Sequence, residues 1–90
     1  MRNVNDVRYS HDAKNFIKRA EPKIKDAIKK IIESLKSYPP EGDIKPLQGY
    51  DDGRMRYRKG KYRIIFRYDE EGNLFILSIL DIGARGDIYK

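Results

Sequence analysis

The fold of this chain is decided by residues 54–68, RMRYRKGKYRIIFRY. On both sides of a central Lys59-Gly60 pair, apolar or aromatic residues alternate with basic ones. An alternation of period two is typical of a β-strand, whose successive side chains point to opposite faces. Glycine can adopt the positive φ that tight hairpin turns require. The stretch therefore predicts a β-hairpin with strands over residues 54–58 and 61–68.

A two-residue turn at Lys59-Gly60 would place Arg58 opposite Lys61 and Arg56 opposite Arg63. One face of the hairpin would then carry Met55, Tyr57, Tyr62, Ile64 and Phe66. The other would carry Arg54, Arg56, Arg58, Lys61, Arg63 and Arg67. Like charges directly across a strand pair destabilise it. We therefore expect an anion to be the partner of the basic face.

The positive charge of the chain is concentrated in this hairpin. The 90 residues carry a net charge of +6. Residues 54–67 include no acidic residue but seven basic ones: Arg54, Arg56, Arg58, Lys59, Lys61, Arg63 and Arg67. The planar guanidinium of arginine matches phosphate better than the point charge of lysine does. The pattern favours nucleic-acid binding over the alternative of a merely solvated strand face, on which charges of both signs are expected.

The first half of the chain has helical periodicity. A short strand is predicted over residues 4–9, followed by Ser10 as a helix N-cap. Residues 13, 16, 17 and 20 form one apolar stripe, and Pro22 suits the first turn of a second helix. Because Pro39-Pro40 cannot continue that helix, it should end near Ser37. The two helices predict an αα-hairpin.

The remaining segments complete the predicted order of elements. Residues 39–53 are expected to be a loop, and residues 69–73 a second hairpin loop. Residues 74–80 are almost uninterruptedly apolar and predict a central strand buried on both faces. Residues 81–90 are expected to form a tail. The fold class is therefore α+β, a single domain over residues 1–90 with a short N-terminal strand, an αα-hairpin and an antiparallel β-meander whose helices pack on one face.

Composition excludes several classes of site. The chain has no cysteine and a single histidine, His11, which excludes thiol catalysis and cysteine-based metal centres. We expect no metal and no cofactor. No apolar run approaches the ~18 residues of a membrane span, and no signal peptide is recognisable, so a cytoplasmic protein without membrane contact is expected.

Two segments together resemble the RelE/ParE toxin superfamily, especially its RelE branch and archaeal members. The first is the basic hairpin with its Gly-Lys-Tyr-Arg-Ile-Ile-Phe core, and the second is residues 82–89, IGARGDIY. The resemblance extends over essentially the whole chain, including its length and element order. It implies a RelE-like fold and a toxin of a type II toxin–antitoxin system.

The resemblance also implies roles for individual residues. Arg63 matches an arginine that grips the scissile phosphate, and Arg85 one that stabilises charge in the transition state. Tyr89 matches a tyrosine that stacks on an mRNA base and takes part in proton transfer. The remaining basic residues are implied to bind RNA: Arg54, Arg56, Arg58, Lys59, Lys61 and Arg67.

The general base is the point at which this chain departs from its relatives. Some bacterial members have lysines where Arg54 and Arg56 stand, and arginine cannot deprotonate in a protein. Ala84 stands where some relatives have histidine. Tyr89 is the best remaining candidate, followed by Lys61.

The implied activity is metal-independent endoribonuclease cleavage of mRNA in the ribosomal A site, which inhibits translation. The implied partners are mRNA, ribosomal RNA and a RelB-like antitoxin that forms a heteromer with the toxin. Two alternatives stay open at this point. One is a ParE-like inhibitor of DNA gyrase, and the other is a nucleic-acid-binding module without catalysis.

Overall fold

Two helices cover one face of a β-sheet. The computed structural model describes residues 1–84, in which α1 spans His11–Arg19 and α2 spans Pro22–Leu35. The Ser10 hydroxyl caps α1 by accepting the Ala13 N–H at 3.1 Å, and it donates to the Leu80 carbonyl at 2.7 Å. The same side chain therefore starts the helix and ties it to the sheet. The two predicted helices are confirmed, although α2 ends two residues earlier than expected.

Seven strands surround these helices in sequence. They are β1 (Arg2–Asn3), β2 (Asp6–Tyr9), β3 (Ser37–Tyr38), β4 (Asp43–Pro46), β5 (Met55–Lys59), β6 (Tyr62–Glu71) and β7 (Leu74–Ala84). The main sheet has the order β2-β7-β6-β5-β4, and β1 pairs with β3 separately. Strand β2 runs parallel to β7, whereas β4 to β7 form an antiparallel meander. The α+β class and the meander are confirmed.

Three segments predicted as irregular are partly strands. The expected loop over residues 39–53 contains β4, which pairs along the edge of β5. Strand β6 continues to Glu71, so the second turn is formed by Gly72-Asn73 alone. The expected tail from residue 81 begins with four residues of β7. In each case backbone pairing with a neighbouring strand prevails over weak local propensity.

The pairing register of the hairpin differs from the prediction: the turn lies one residue later in the sequence, so each residue of β5 pairs two positions further along β6. Lys59 pairs with Tyr62 and Arg58 with Arg63, so the turn residues are Gly60 and Lys61. Gly60 has a φ of +58°, and no residue other than glycine has a positive φ among the described residues. This matches a turn with glycine at its first central position, whereas a Lys59-Gly60 turn of the other common type would force Lys59 to positive φ. The pairs predicted for Arg56 and Arg58 are therefore wrong.

The shift leaves the two faces of the hairpin unchanged, because the partner of each residue moves by two positions along the opposite strand. Residues two positions apart in a strand point to the same face. The inward face packs against the helices to form the core, which consists of Ala13, Ile28, Ile31, Ile32, Leu35, Tyr57, Ile64, Phe66, Leu77, Ile79 and Ile82. Phe66 lies in the middle of this layer with 0% of its surface exposed. The core thus fixes which face of the sheet the arginines occupy. Among residues 1–84, neither helix has the length and apolarity that crossing a membrane requires.

Gly42 is expected to tolerate no side chain. It has a φ of +128°, and a Cβ added there would lie 3.1 Å from Cζ of the buried Tyr57 ring. We expect Gly42→Ala to lower the free energy of unfolding by about 1–3 kcal/mol, the usual cost of such a backbone conformation. Urea unfolding measures this change.

Gly53→Ala is the control for Gly42→Ala. Gly53 also has a positive φ, +77°, but an added Cβ would meet no atom within 4 Å. It therefore carries the backbone strain without the contact to the tyrosine ring. Equal losses for the two variants would contradict a role for the Tyr57 contact.

Ionisation of the Tyr68 hydroxyl is expected to lower the free energy of unfolding at alkaline pH. Its hydroxyl donates to the Leu35 carbonyl at 2.5 Å, and burial raises the pKa of Tyr68 to about 12. The neutral phenol is therefore favoured by folding. Its contribution is complete below the ordinary pKa of 10.0 and is lost as pH rises toward 12. Between pH 9 and pH 11, urea unfolding should show a larger loss of free energy for the parent than for Tyr68→Phe. Identical losses would contradict this assignment.

Candidate nucleic-acid interface

The sheet face opposite the helices carries the predicted basic residues, and we call it the basic face. Its end next to the Gly60-Lys61 turn, the turn end, carries Arg58 and Arg63 on this face. Two more basic residues flank them: Lys59, which pairs with Tyr62 on the inward side, and Lys61, which lies in the turn and borders the helical side. All four are exposed. Arg58 lies directly opposite Arg63, a separation of about 4.5–5.5 Å between Cα atoms. None of these four residues forms an ion pair with another described residue. The exposed Asp43 of β4 lies opposite Arg58, but the four basic residues outnumber it. The turn end therefore carries a net positive charge that an anion would relieve.

Gly83 leaves open space beside Arg63. The two residues are partners across β6 and β7, and a Cβ added to Gly83 would meet no atom within 4 Å. A ligand can therefore approach the backbone of β7 next to the Arg63 side chain. The predicted catalytic residues Arg85 and Tyr89 lie outside the described residues, which end at Ala84 opposite Tyr62.

Arg56 lies in the middle of the basic face with an unsatisfied donor. Its side chain is only 14% exposed, and Nη2 lies 3.7 Å from Oδ1 of Asp43. Its Nη1 is buried and has no hydrogen-bond partner among the described residues. A buried donor without a partner costs free energy, and a ligand could reach this one only after the Arg56 side chain moves outward. Lys45 of β4, opposite Arg56, adds a basic residue that the sequence prediction missed because it placed residues 39–53 in a loop.

The opposite end of the basic face, which we call the far end, holds Arg54 and Arg67 against carboxylates. Asp52 Oδ2 lies 2.7 Å from Nη2 of Arg54 and 2.5 Å from Nη1 of Arg67. Arg67 also donates to Asp69 Oδ2 at 3.1 Å, and that oxygen accepts the Ser78 hydroxyl at 2.9 Å. These acids lie just outside residues 54–67, so a count over that window cannot reveal them.

The ion pairs at the far end shift the ionisation of their members. Hydrogen bonds from Arg54 hold the pKa of Asp52 well below its usual range. The carboxylates in turn raise the pKa of both guanidinium groups, through Asp52 for Arg54 and first through Asp69 for Arg67. The Arg54 guanidinium also stacks over the Tyr50 ring at 3.9 Å. At neutral pH the far end is thus a fully ionised and internally compensated network.

Groups that could move a proton are few on the basic face. Asp81 is exposed there opposite Ile65, and its Oδ1 accepts the Ile82 N–H at 3.0 Å. Asp81 was not expected there, because residue 81 was predicted to begin an irregular tail. His11 begins α1, on the helical side of the sheet. Residues 1–84 contain no group of three His, Cys, Asp or Glu side chains that could hold a metal ion.

An open groove lies between the helices and the turn end. Its volume is about 610 Å³, and its lining includes Phe16, Ile24 and Ile82 together with the charged Arg19 and Lys61. A groove of this size and mixed character can accept a short amphipathic segment of another chain.

Comparisons with known proteins agree with this architecture. The family described as "ParE toxin of type II toxin-antitoxin system, parDE" matches residues 7–89. The toxin RelG of Mycobacterium tuberculosis is 30% identical over 84 residues, which cover 93% of this chain and 94% of RelG.

Two solved toxin–antitoxin complexes contain chains of similar structure. The match to a chain of the RelBE2 complex of Mycobacterium tuberculosis has a TM-score of 0.72 and 26% identity, covering 93% of this chain and 100% of that one. The match to a chain of the RelB–RelE complex of Methanococcus jannaschii has a TM-score of 0.61 and 27% identity, covering 91% and 94%. With the family and the RelG match spanning nearly its full length, the chain belongs to the RelE/ParE superfamily of toxins from type II toxin–antitoxin systems.

Proposed function

We propose that this toxin is a ribosome-dependent endoribonuclease that cuts mRNA in the A site without a metal ion. The observation that carries the proposal is the turn end of the basic face. There Arg58 and Arg63 lie opposite each other, exposed and without an ion-pair partner among the described residues. A pair of opposed guanidinium groups suits the phosphates of RNA, and five of the seven basic residues of the hairpin are arginines.

The proposed reaction uses the RNA's own nucleophile. The 2′-oxygen attacks the adjacent phosphorus while the bond from phosphorus to the 5′-oxygen breaks. The products are a 2′,3′-cyclic phosphate and a 5′-hydroxyl, with one proton leaving the 2′-OH and one reaching the 5′-oxygen. The protein has to align the 2′-oxygen with the leaving group and to stabilise charge on the phosphate oxygens.

Arg63 is proposed to hold the scissile phosphate, because Gly83 leaves room for the RNA backbone beside it. The resemblance to RelE toxins assigns charge stabilisation to Arg85 and base stacking and proton transfer to Tyr89. Arg58, Lys59 and Lys61 are proposed to bind flanking phosphates. Arg56 adds a donor that lacks a described partner, and Arg54 and Arg67 are available only when a phosphate competes with Asp52.

An antitoxin is the proposed protein partner. The RelBE2 complex of Mycobacterium tuberculosis and the RelB–RelE complex of Methanococcus jannaschii, in which chains resemble this one at 26% and 27% identity, are both toxin–antitoxin complexes. The groove of about 610 Å³ offers apolar side chains and Lys61 next to the turn end. A segment bound there would lie on the helical side of the sheet and cover Lys61, and its continuation around the Gly60-Lys61 turn would compete with RNA for the basic face. We therefore propose a heteromer with a RelB-like antitoxin.

Cleavage on programmed ribosomes tests the proposal. Purified toxin is incubated with ribosomes carrying a defined codon in the A site, and the new mRNA ends are mapped. Naked mRNA and a DNA gyrase supercoiling assay run in parallel. Cuts within the A-site codon, absent from naked mRNA, are the expected result.

A gyrase inhibitor is the second candidate, because the family that matches residues 7–89 is described as ParE toxin. Inhibited supercoiling with intact mRNA would replace the proposed function by this one. RNA binding with neither activity would leave a nucleic-acid-binding module.

A further inference from the structure

The basic face is divided into two electrostatically different halves. At the far end, the positive charges of Arg54 and Arg67 are matched by the negative charges of Asp52 and Asp69. At the turn end, four basic residues have no ion-pair partner among the described residues. A polyanion therefore meets a strong attraction at one end of the face and almost none at the other.

Asp52 is the acidic residue that contacts both arginines of the far end. Its carboxylate contacts the guanidinium groups of Arg54, just before β5, and of Arg67 in β6. Oδ2 accepts from both arginines, and Oδ1 accepts the Nε–H of Arg54 at 3.0 Å. The Arg54 N–H also donates to it, at 3.3 Å. Phosphate would have to compete with this carboxylate for donors of both arginines, and the negative charge of Asp52 would repel it.

The neighbouring Asp51 provides the contrast. It occupies the same loop and is exposed, but it forms no ion pair with a described residue. Turn formation alone would not require a carboxylate that bridges two arginines, which are separated in sequence by 13 residues. The bridge therefore points to a function of Asp52 on the basic face.

We propose that Asp52 is a selectivity determinant that occupies Arg54 and Arg67 and so confines RNA to the turn end. This inference rests on the proposed function for the identity of the polyanion. Its consequence is weak binding to RNA outside the ribosome, because fewer phosphates are engaged. Each phosphate contact with a single strand contributes about 0.7 to the slope of log affinity against log salt concentration.

The test compares Asp52→Asn with Asp51→Asn in the full chain. Both variants remove one negative charge from the same loop. The probe is a fluorescent single-stranded RNA with 2′-O-methyl groups, which cannot be cleaved. We expect Asp52→Asn to bind about 3–10-fold more tightly at low salt, with a slope steeper by roughly 0.7–1.4, which corresponds to one or two new phosphate contacts. Asp51→Asn should change affinity less than about twofold, as expected for an unspecific charge. Equal effects of the two variants would overturn the proposal.

Arg54→Gln identifies the released group. In the Asp52→Asn background it should remove a large part of the gain. A gain that survives Arg54→Gln and Arg67→Gln together would overturn the assignment of these arginines.

Retention on heparin separates this inference from the proposed function. Heparin is a polyanion that requires no ribosome and no RNA recognition. Later elution of Asp52→Asn than of Asp51→Asn supports the division of the face, even for a protein that proves unable to cleave mRNA. Cleavage by the parent together with identical elution of the two variants would uphold the proposed function and refute the role of Asp52.

Discussion

Replacing Arg63 by alanine is expected to lower the rate of A-site mRNA cleavage by about 10²–10³-fold, the usual loss when one group that stabilises transition-state charge is removed. Arg63 is exposed at the turn end, lies opposite Arg58 and has the open space of Gly83 beside it. Negative charge grows on the phosphate oxygens as the 2′-oxygen attacks, so a guanidinium placed there acts mainly on the transition state. Single-turnover cleavage on programmed ribosomes measures the rate.

Two further variants distinguish a specific role of the Arg63 guanidinium in catalysis from a general effect of the net charge of the protein. Arg63→Lys keeps the charge but loses the planar fork of donors, so it should recover only part of the lost rate. Lys30→Ala removes one positive charge from an exposed position on α2, on the other side of the sheet, and should leave the rate within about twofold of the parent. Equal losses for Arg63→Ala and Lys30→Ala would show that only net charge matters.

Replacing Phe66 by alanine is expected to lower the free energy of unfolding by about 3–5 kcal/mol. Phe66 is 0% exposed and lies on the inward face of β6, where it contacts the ring of Tyr68 edge-on at 5.7 Å between centroids. The cavity would open beneath the strand that carries Arg63 and Arg67. Urea unfolding followed by circular dichroism measures the loss.

Leu74→Ala is the control for that change, because Leu74 is 45% exposed at the start of β7. It should cost less than about 1 kcal/mol, since little surface is withdrawn from water at this site. A Phe66→Ala protein as stable as Leu74→Ala would contradict the packing of the core described above.

Local sequence signals predicted the helices and the two faces of the sheet. The Ser10 cap and the apolar stripes depend on neighbouring residues only, and the hydroxyl does accept the Ala13 N–H. The alternation through residues 54–68 placed Phe66 inside and Arg63 outside because side-chain direction in a strand depends on parity. The error in the predicted pairing amounts to two positions along the opposite strand, so it does not change which face each side chain occupies.

Features that depend on distant residues could not be predicted in this way. Strand β4 forms because β5 offers an open edge, not because residues 43–46 have strong strand propensity. The bridge from Asp52 to Arg67 joins side chains 15 residues apart in sequence. The turn forms at Gly60-Lys61 and not at Lys59-Gly60, a choice between two nearly equivalent hairpin turns that the local sequence does not decide. The predictions for Arg85 and Tyr89 rest on the resemblance to RelE toxins.

The central claim is that the turn end of the basic face positions an mRNA phosphate for cleavage in the A site. Its most direct test is the mapping of mRNA ends on ribosomes programmed with one codon, for the parent and for Arg63→Ala in the same experiment. We predict cuts within the A-site codon that end in a 2′,3′-cyclic phosphate for the parent, with at least a hundredfold fewer for the variant. Intact mRNA with the parent, or undiminished cutting by Arg63→Ala, would contradict it.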